Sequence, residues 1–303
     1  MNEMTYCYVC PHRCGVDRPE NMADTDGERY FGSCGCGMQP IVARAGLHMW
    51  EEPCISGTHG SGTVFFSGCN LHCVFCQNFD ISCKGFGKEI TIERLQEIYQ
   101  ELIAKGAHNI NLVTPTHFTE AVLKSLEKPL PVPVVYNTSG FETQDTLRRL
   151  KGKVQIYLPD LKYSDDVAAI KYSNAPYYFR IATDAIKEMY RQVGDYELDE
   201  NGLLKKGVVI RHLILPGMLD NSKRVIDWVA NTFKPGQVMF SLMHQYVPCG
   251  RAAEYPEINR KVTDEEYAEV EAYLMASTIE DGFVQEGDAA CEDFIPCFDG
   301  TGV

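Results

Sequence analysis

Between residues 63 and 278 the chain alternates short apolar runs with stretches of helical spacing, and this alternation restricts its fold more than any other feature. The runs at 63–67, 109–113, 132–136, 154–158, 208–215 and 237–243 predict strands. The stretches 92–105, 119–127, 143–150, 164–172, 177–193, 221–233 and 263–278 predict helices. In the first of these, Ile92, Leu95, Ile98, Tyr99, Leu102 and Ile103 fall on one face. Thr119 is a candidate cap, and Thr263 with Glu266 forms a capping box. Six strands, each followed by helix, imply βαβ units and a parallel sheet. The expected fold class is α/β, a partial (β/α)6 TIM-like barrel. Residues 195–204, with Asn201-Gly202, predict an inserted hairpin.

The start of the chain does not share this pattern. Of thirteen cysteines, ten lie in the first 83 residues, none between 84 and 248, and three at 249, 291 and 297. Residues 1–55 are expected to form a Cys-rich metal-binding module, and 56–303 the barrel domain. The run Ser-Gly-Thr-His-Gly-Ser-Gly at 56–62 is expected to be a linker or a tight loop between them. The first residues show neither a basic stretch nor an apolar one, and no run of about 18 apolar residues occurs, so a cytoplasmic protein without a membrane span is expected. In such a compartment clustered cysteines serve as metal ligands or catalytic groups more often than as disulfides. The formal charge is 28 − 42 = −14. This argues against nucleic acid or an anionic membrane as partner.

Ligands of parallel α/β sheets bind beyond the carboxyl ends of the strands. The first predicted strand runs directly into Ser67-Gly68-Cys69-Asn70-Leu71-His72-Cys73-Val74-Phe75-Cys76-Gln77-Asn78. Cys69, Cys73 and Cys76 place three thiols in eight residues on one glycine-led loop. They can hold a cubic four-iron cluster, which normally takes four cysteines, so one iron stays open to a chelating cofactor. A zinc site with His72 as fourth ligand is the alternative.

At these residues the sequence resembles the radical S-adenosylmethionine enzymes, with Phe75 in the aromatic slot of the C-x3-C-x-aromatic-C signature. Cys7-x2-Cys10-Pro11-His12-Arg13-Cys14-Gly15, Glu51-Glu52-Pro53, the Gly60–Thr63 run and Cys76-Gln77-Asn78 are similar to one branch, the pyruvate formate-lyase activating enzyme-like proteins. Residues 114–117 (Thr-Pro-Thr-His), 159–162 (Pro-Asp-Leu-Lys) and the ending at 294–300 fit the same branch. The resemblance implies a [4Fe-4S] cluster and S-adenosylmethionine as cofactors. It also implies reductive cleavage of the sulfonium and hydrogen abstraction from a substrate, with a flavodoxin- or ferredoxin-like protein as reductant.

The resemblance further implies contacts to the cofactor from the ends of the other strands. Phe75 and Asn78 join the list from the cysteine loop. Thr114, Thr116 and His117 stand where the superfamily often carries a Gly-Gly-Glu-like motif, and here glycine and carboxylate are both missing. Asn137 and Ser139 lie in a segment similar to the Asp-Thr-Asn-Gly of glycyl-radical activators, with Asn137 replacing the acid. Asp160 and Lys162 match those activators' Asp-x-Lys, and two residues apart on an extended segment they share a face. Arg211, His244, Gln245 and Tyr246 are expected to face the barrel. Asp160, Lys162 and His244 are the candidate catalytic residues.

Cys7, Cys10, Cys14 and Cys34 form a second four-thiol set, suited to zinc or to an auxiliary iron–sulfur centre. Cys36 and Cys54 are surplus, and Cys83, Cys249, Cys291 and Cys297 read as small unliganded hydrophobes. Three functions fit: an activase acting on a glycine of a partner protein, a maturation enzyme acting on a peptide or small molecule, or a non-enzymatic iron–sulfur carrier.

Overall fold

The computed structural model describes residues 7–20, 31–285 and 297–303. Its centre is one sheet of ten strands: β1 (Ile41–His48), β2 (Ser61–Phe66), β3 (Lys88–Glu89), β4 (Ile110–Val113), β5 (Val134–Thr138), β6 (Ile156–Pro159), β7 (Glu197–Leu198), β8 (Leu204–Leu213), β9 (Met239–Met243) and β10 (Gly282–Val284). The order is β10-β9-β8-β6-β5-β4-β2-β1-β3, with β7 paired to β8 alone. From β2 to β10 that path is parallel throughout. Its two ends do not pair with each other, so the sheet is an open, partial barrel. Every residue of β2, β4, β5, β6 and β9 is buried, as expected when helices cover one face and a filled interior the other.

The helices are α1 (Pro53–Ser56), α2 (Phe79–Ser82), α3 (Ile92–Ala104), α4 (Thr119–Ser125), α5 (Gln144–Leu150), α6 (Asp166–Ser173), α7 (Tyr178–Val193), α8 (Leu219–Thr232) and α9 (Asp264–Met275). In α3 the stripe Leu95, Ile98, Tyr99 and Leu102 is buried against the sheet. Thr263 and Glu266 form the expected capping box on α9. Thr119 does not cap α4: it lies inside the first turn, and its hydroxyl donates to the Thr116 carbonyl at 2.7 Å. The hairpin at 195–204 is present as β7 folded back on β8. Asp199 Oδ1 accepts from the backbone N–H groups of Asn201 and Leu203 across its turn.

Three strands lack a sequence signal. β3 and β10 have two and three residues, too few to show a period. β1 (IVARAGLH) mixes apolar with small and charged residues, because its edges meet different neighbours. It runs antiparallel to β2, although it lies within the Cys-rich segment 1–55. Its other edge pairs with β3 at Ile41 and Val42, and beyond them with the chain's last residues. The Ala45 N–H donates to the Thr301 carbonyl at 2.9 Å, and the Gly300 N–H to that of Ala43 at 3.1 Å. Residues 294–296 of the sequence motif lie outside the described residues. No helix among the described residues is long and apolar enough to cross a membrane.

Candidate active site

β2 delivers the chain to the carboxyl side of the sheet, and Gly68, at φ +79°, turns it into the cysteine loop. Cys69, Cys73 and Cys76 all line one cavity of about 230 Å3. The Leu71 N–H donates to Cys69 Sγ at 3.3 Å, and the Ser173 hydroxyl donates to Cys73 Sγ at 2.9 Å. Burial pushes the Cys69 and Cys76 thiols up to about 12 and raises Cys73 as well. Buried sulfurs that are costly to ionise alone, yet supplied with hydrogen-bond donors, suit a cationic centre that stabilises the thiolates. None of the three is in a disulfide. His72 does not complete a zinc site here: its Nε2 lies 2.5 Å from the Ser33 carbonyl oxygen, in the N-terminal segment. Among the described residues no three His, Cys, Asp or Glu side chains gather around a single-ion position. The donor set therefore fits a three-cysteine cluster site.

The cysteine loop has little slack. A Cβ on Gly68 would stand 2.3 Å from Cys36 Sγ and 2.9 Å from the Cys34 carbonyl oxygen. Gly68→Ala is therefore expected to cost about 1–3 kcal/mol in backbone strain and overlap, measured by chemical denaturation, and to lower the iron bound at the loop.

The cavity walls come from successive strand ends. Thr114, after β4, adopts φ +58° and donates its N–H to the Asn137 carbonyl at 2.8 Å. Thr114, Asn137, Ser139, Asp160, Lys162 and Arg211 all line the cavity. Arg211 on β8 joins them together. Its Nε donates to Asp160 Oδ1 at 2.9 Å, one terminal nitrogen donates to Asn137 Oδ1 at 2.7 Å, and the other to Glu51 Oε2 at 3.2 Å. Lys162 Nζ pairs with Asp160 Oδ2 at 2.6 Å. Burial pushes the Asp160 carboxyl up, but the Arg211 and Lys162 cations outweigh it and hold it below its ordinary value. Burial opposes the charge of Lys162 too, and Asp160 restores it. The result is a half-buried carboxylate and ammonium, both ionised, beside hydroxyl and amide groups. That set suits the amino, carboxylate and hydroxyl groups of a nucleoside–amino-acid cofactor.

Glu51 is part of this network and was not foreseen as a site residue. It follows β1, which runs against the other strands, so it enters the barrel from the end opposite the cysteines. Its Oε1 accepts from Asn111 at 3.0 Å and Asn137 at 3.3 Å. Burial raises both Glu51 and Glu52, with Arg211 acting against it. The Glu51-Glu52-Pro53 motif was visible, and Pro53 opens α1 as its first residue, but no spacing rule tied the acids to Arg211.

Phe75, Asn78 and Gln245 also line the cavity. Phe75 packs edge-on against Tyr246 with ring centroids 5.8 Å apart. Four expected residues do not line it: Tyr246, whose hydroxyl donates to the Ile258 carbonyl at 2.7 Å, His244, His117 and Thr116. His244 faces the opposite side from its neighbours Met243 and Gln245, which line the cavity, and its ring stacks on Tyr267 at 4.1 Å. Past the positive-φ turn at Thr114 the chain coils into a short 3-10 turn over 116–118. That turn buries His117 behind the cysteine loop, with Nε2 at 2.7 Å from the Ser67 carbonyl oxygen. Thr116 is buried with it, and its hydroxyl donates to Glu142 Oε1 at 2.5 Å.

Glu142 accepts from Thr138 at the same oxygen, and burial, outweighing these two donors, pushes its carboxyl up to about 7. The folded chain thus keeps a proton that the unfolded chain releases above about pH 4.5. Stability falls as pH rises through this window and is level above it, a loss of about 3 kcal/mol. Glu142→Gln is expected to remove that slope, gaining on the parent protein between pH 5 and 7 in denaturant titrations.

The N-terminal cysteines sit against the back of the same loop. His12 Nε2 lies 2.6 Å from the Asn70 carbonyl oxygen. The Val9 carbonyl accepts from the hydroxyls of Thr143 and Thr146 at the start of α5. Cys10 is buried and has Cys34, Cys14 and Cys7 as charge neighbours. Arg18 donates to the Cys36 carbonyl at 2.9 Å and to that of His117 at 2.5 Å. Cys291 lies outside the described residues.

With this geometry in place, comparison with known proteins identifies the scaffold. A family model described as the Radical SAM superfamily matches residues 63–229. An uncharacterized protein of Methanocaldococcus jannaschii, MJ0674, is 33% identical over 271 residues, covering 86% of this chain and 71% of its own. A spore photoproduct lyase variant superposes with a TM-score of 0.50 at 12% identity, covering 72% of this chain and 74% of that one. Streptococcus suis SuiB bound to S-adenosylmethionine gives 0.49 at 11% identity, covering 73% of this chain. This chain spans about half of SuiB, 49%. The two superpositions are likenesses of fold. The family implies a [4Fe-4S] cluster and S-adenosylmethionine as cofactors, and the cavity's three thiols and polar walls fit both. On this family match, which spans more than half of its length, this chain belongs to the radical SAM superfamily of enzymes.

Proposed function

We propose that Cys69, Cys73 and Cys76 hold the cluster, and that the protein abstracts hydrogen from a protein or peptide substrate, as an activase of the glycyl-radical type does. The observation that carries the reading is the placement of these three thiols in one cavity with the Asp160–Lys162–Arg211 network. When bound, the two cofactors supply reductive cleavage of a sulfonium and the hydrogen abstraction that follows. The chain's own residues do the rest. Three thiolates would hold the cluster and would leave one iron free for the cofactor's amino and carboxylate groups. Thr114, Ser139, Asn78 and Asn137 offer hydroxyls and amides to orient it, and Asp160 and Lys162 offer one charge of each sign. Phe65, Phe75, Leu213 and Met243 wall the cavity against water. Trp50 lines the same cavity and is 63% exposed, so the cavity reaches the surface where a substrate segment can enter. The barrel of 56–303 is the catalytic body. Residues 1–55 are a metal-bearing appendage whose β1 is built into it, with Cys7, Cys10, Cys14 and Cys34 as its ligands. A flavodoxin- or ferredoxin-like protein supplies the electron.

The test is anaerobic reconstitution with iron and sulfide, then dithionite and S-adenosylmethionine. Formation of 5′-deoxyadenosine and methionine is expected. An intact cluster that never cleaves the sulfonium refutes the enzyme and leaves an electron carrier. With a glycyl-radical enzyme added, a stable glycine-centred EPR signal is expected of an activase. Cleavage without that signal shifts the substrate to a peptide or small molecule.

A further inference from the structure

The N-terminal cysteines repeat the arithmetic of the cavity loop. Cys7, Cys10 and Cys14 place three sulfurs in eight residues as C-x2-C-x3-C, the reverse of the C-x3-C-x2-C at Cys69, Cys73 and Cys76. The segment is folded back on itself: the Cys7 N–H donates to the Val16 carbonyl at 2.9 Å and the Gly15 N–H to the Cys7 carbonyl at 3.0 Å. Arg13 and Gly15 take positive φ to close it. The Ser33 N–H donates to Cys14 Sγ at 3.3 Å, the same arrangement that Leu71 makes with Cys69. Cys10 has Cys34, Cys14 and Cys7 as charge neighbours. Four thiols are the ordinary ligand set of a four-iron cube as they are of zinc, and the choice between them rests on what this segment touches.

Resting on the function proposed above, we infer that Cys7, Cys10, Cys14 and Cys34 hold a second four-iron, four-sulfur cluster in electronic contact with the first. Four cysteines leave no open corner, so such a centre binds no substrate and only carries electrons. Its protein shell touches the first loop directly. Cys36 Sγ and the Cys34 carbonyl pack on Gly68, which precedes Cys69 in sequence. Ser33 and His12 reach His72 and Asn70 of the same loop. A one-electron donor of the flavodoxin or ferredoxin class takes the second cluster from the 2+ to the 1+ state. Passing that electron inward returns it to 2+ and leaves the first cluster at 1+.

The test uses anaerobically reconstituted full-length protein. About eight irons and eight sulfides per chain are expected, with little zinc. A Cys69→Ala/Cys73→Ala/Cys76→Ala triple variant is expected to retain about four irons, and Cys10→Ala about four whose reduced EPR signal responds to S-adenosylmethionine. The reduced wild-type spectrum should be broader than the sum of the two variants, through coupling of neighbouring spins. Mössbauer spectra of the wild type count the clusters even if a variant does not fold. One zinc per chain that disappears in Cys10→Ala overturns the inference, as does a folded triple variant without iron. A triple variant that keeps its cluster, beside a Cys10→Ala protein with no signal sensitive to S-adenosylmethionine, supports this inference and refutes the radical site instead.

Discussion

Replacing Cys73 with alanine is expected to empty the cavity loop of iron and to bring S-adenosylmethionine cleavage below detection. Three thiols are the minimum that holds the cube and leaves one corner open. With two, the cube loses a corner ligand: Ser173, 2.9 Å away, donates a hydrogen bond to the sulfur and is a poor iron ligand, and Cys83, a charge neighbour of Cys73, is already hydrogen-bonded to His72 and Ser82. The fold should survive, because removing one buried sulfur costs about 1–2 kcal/mol. Cys54→Ala is the matched control. Cys54 is also buried, but it packs with Ile55, Val135 and Ile156 in a separate cluster away from the loop. It should lose a similar amount of stability and no iron. Iron analysis, 5′-deoxyadenosine formation and denaturant titration measure the three quantities separately. Equal iron in Cys73→Ala and wild type, once the N-terminal cysteines are replaced in both, would sink the assignment of the loop.

What the sequence disclosed follows physical rules with short range. The strands were legible because parallel strands buried on both faces are near-continuous apolar runs, as in β6 (IYLP). The cysteine loop was legible because its three thiols are close in sequence, so spacing alone brings them to one cavity. Asn137, Ser139, Asp160 and Lys162 were reachable because a strand end fixes which side of the sheet a residue approaches. The failures came where one further turn decides direction. His244 and Gln245 are neighbours on an extended segment, and only the register of β9 says which faces inward. The positive φ of Thr114 swings Thr116 and His117 behind the loop, and no composition rule announces a left-handed threonine. Glu51 required topology: only after β1 is known to run antiparallel does the turn behind it fall beneath Arg211.

That acid makes Arg211 the most consequential polar residue in the barrel, and Arg211→Met is expected to destabilise the protein by about 3–5 kcal/mol at neutral pH. The guanidinium has only 14% of its side chain exposed and faces Glu51, at 8%, and Asp160, at 15%, so solvent screens little of the interaction. Methionine fills similar volume without charge, leaving Lys162 as the only close cation for Asp160 among the described residues, and none there for Glu51. The sign of the pH dependence follows. Burial already raises Glu51 and Glu52, and Arg211 is the cation that opposes it. Without it their folded values rise further, and the folded variant holds protons that the unfolded chain gives up above about pH 4.5. Its stability therefore falls as pH rises through that window and beyond, so the deficit against wild type should be small near pH 5 and largest near pH 8. Arg211→Lys restores the charge but reaches one acceptor where the guanidinium reaches three, and should recover only part of the loss. Adding Glu51→Gln to Arg211→Met should recover stability at pH 8, because it removes the stranded charge, and the double-mutant cycle gives the coupling directly. Denaturant midpoints at pH 5 and 8 decide the matter: a deficit below about 1 kcal/mol, or one independent of pH, would mean that the network is solvated and that Arg211 holds neither Asp160 nor Asn137 in place.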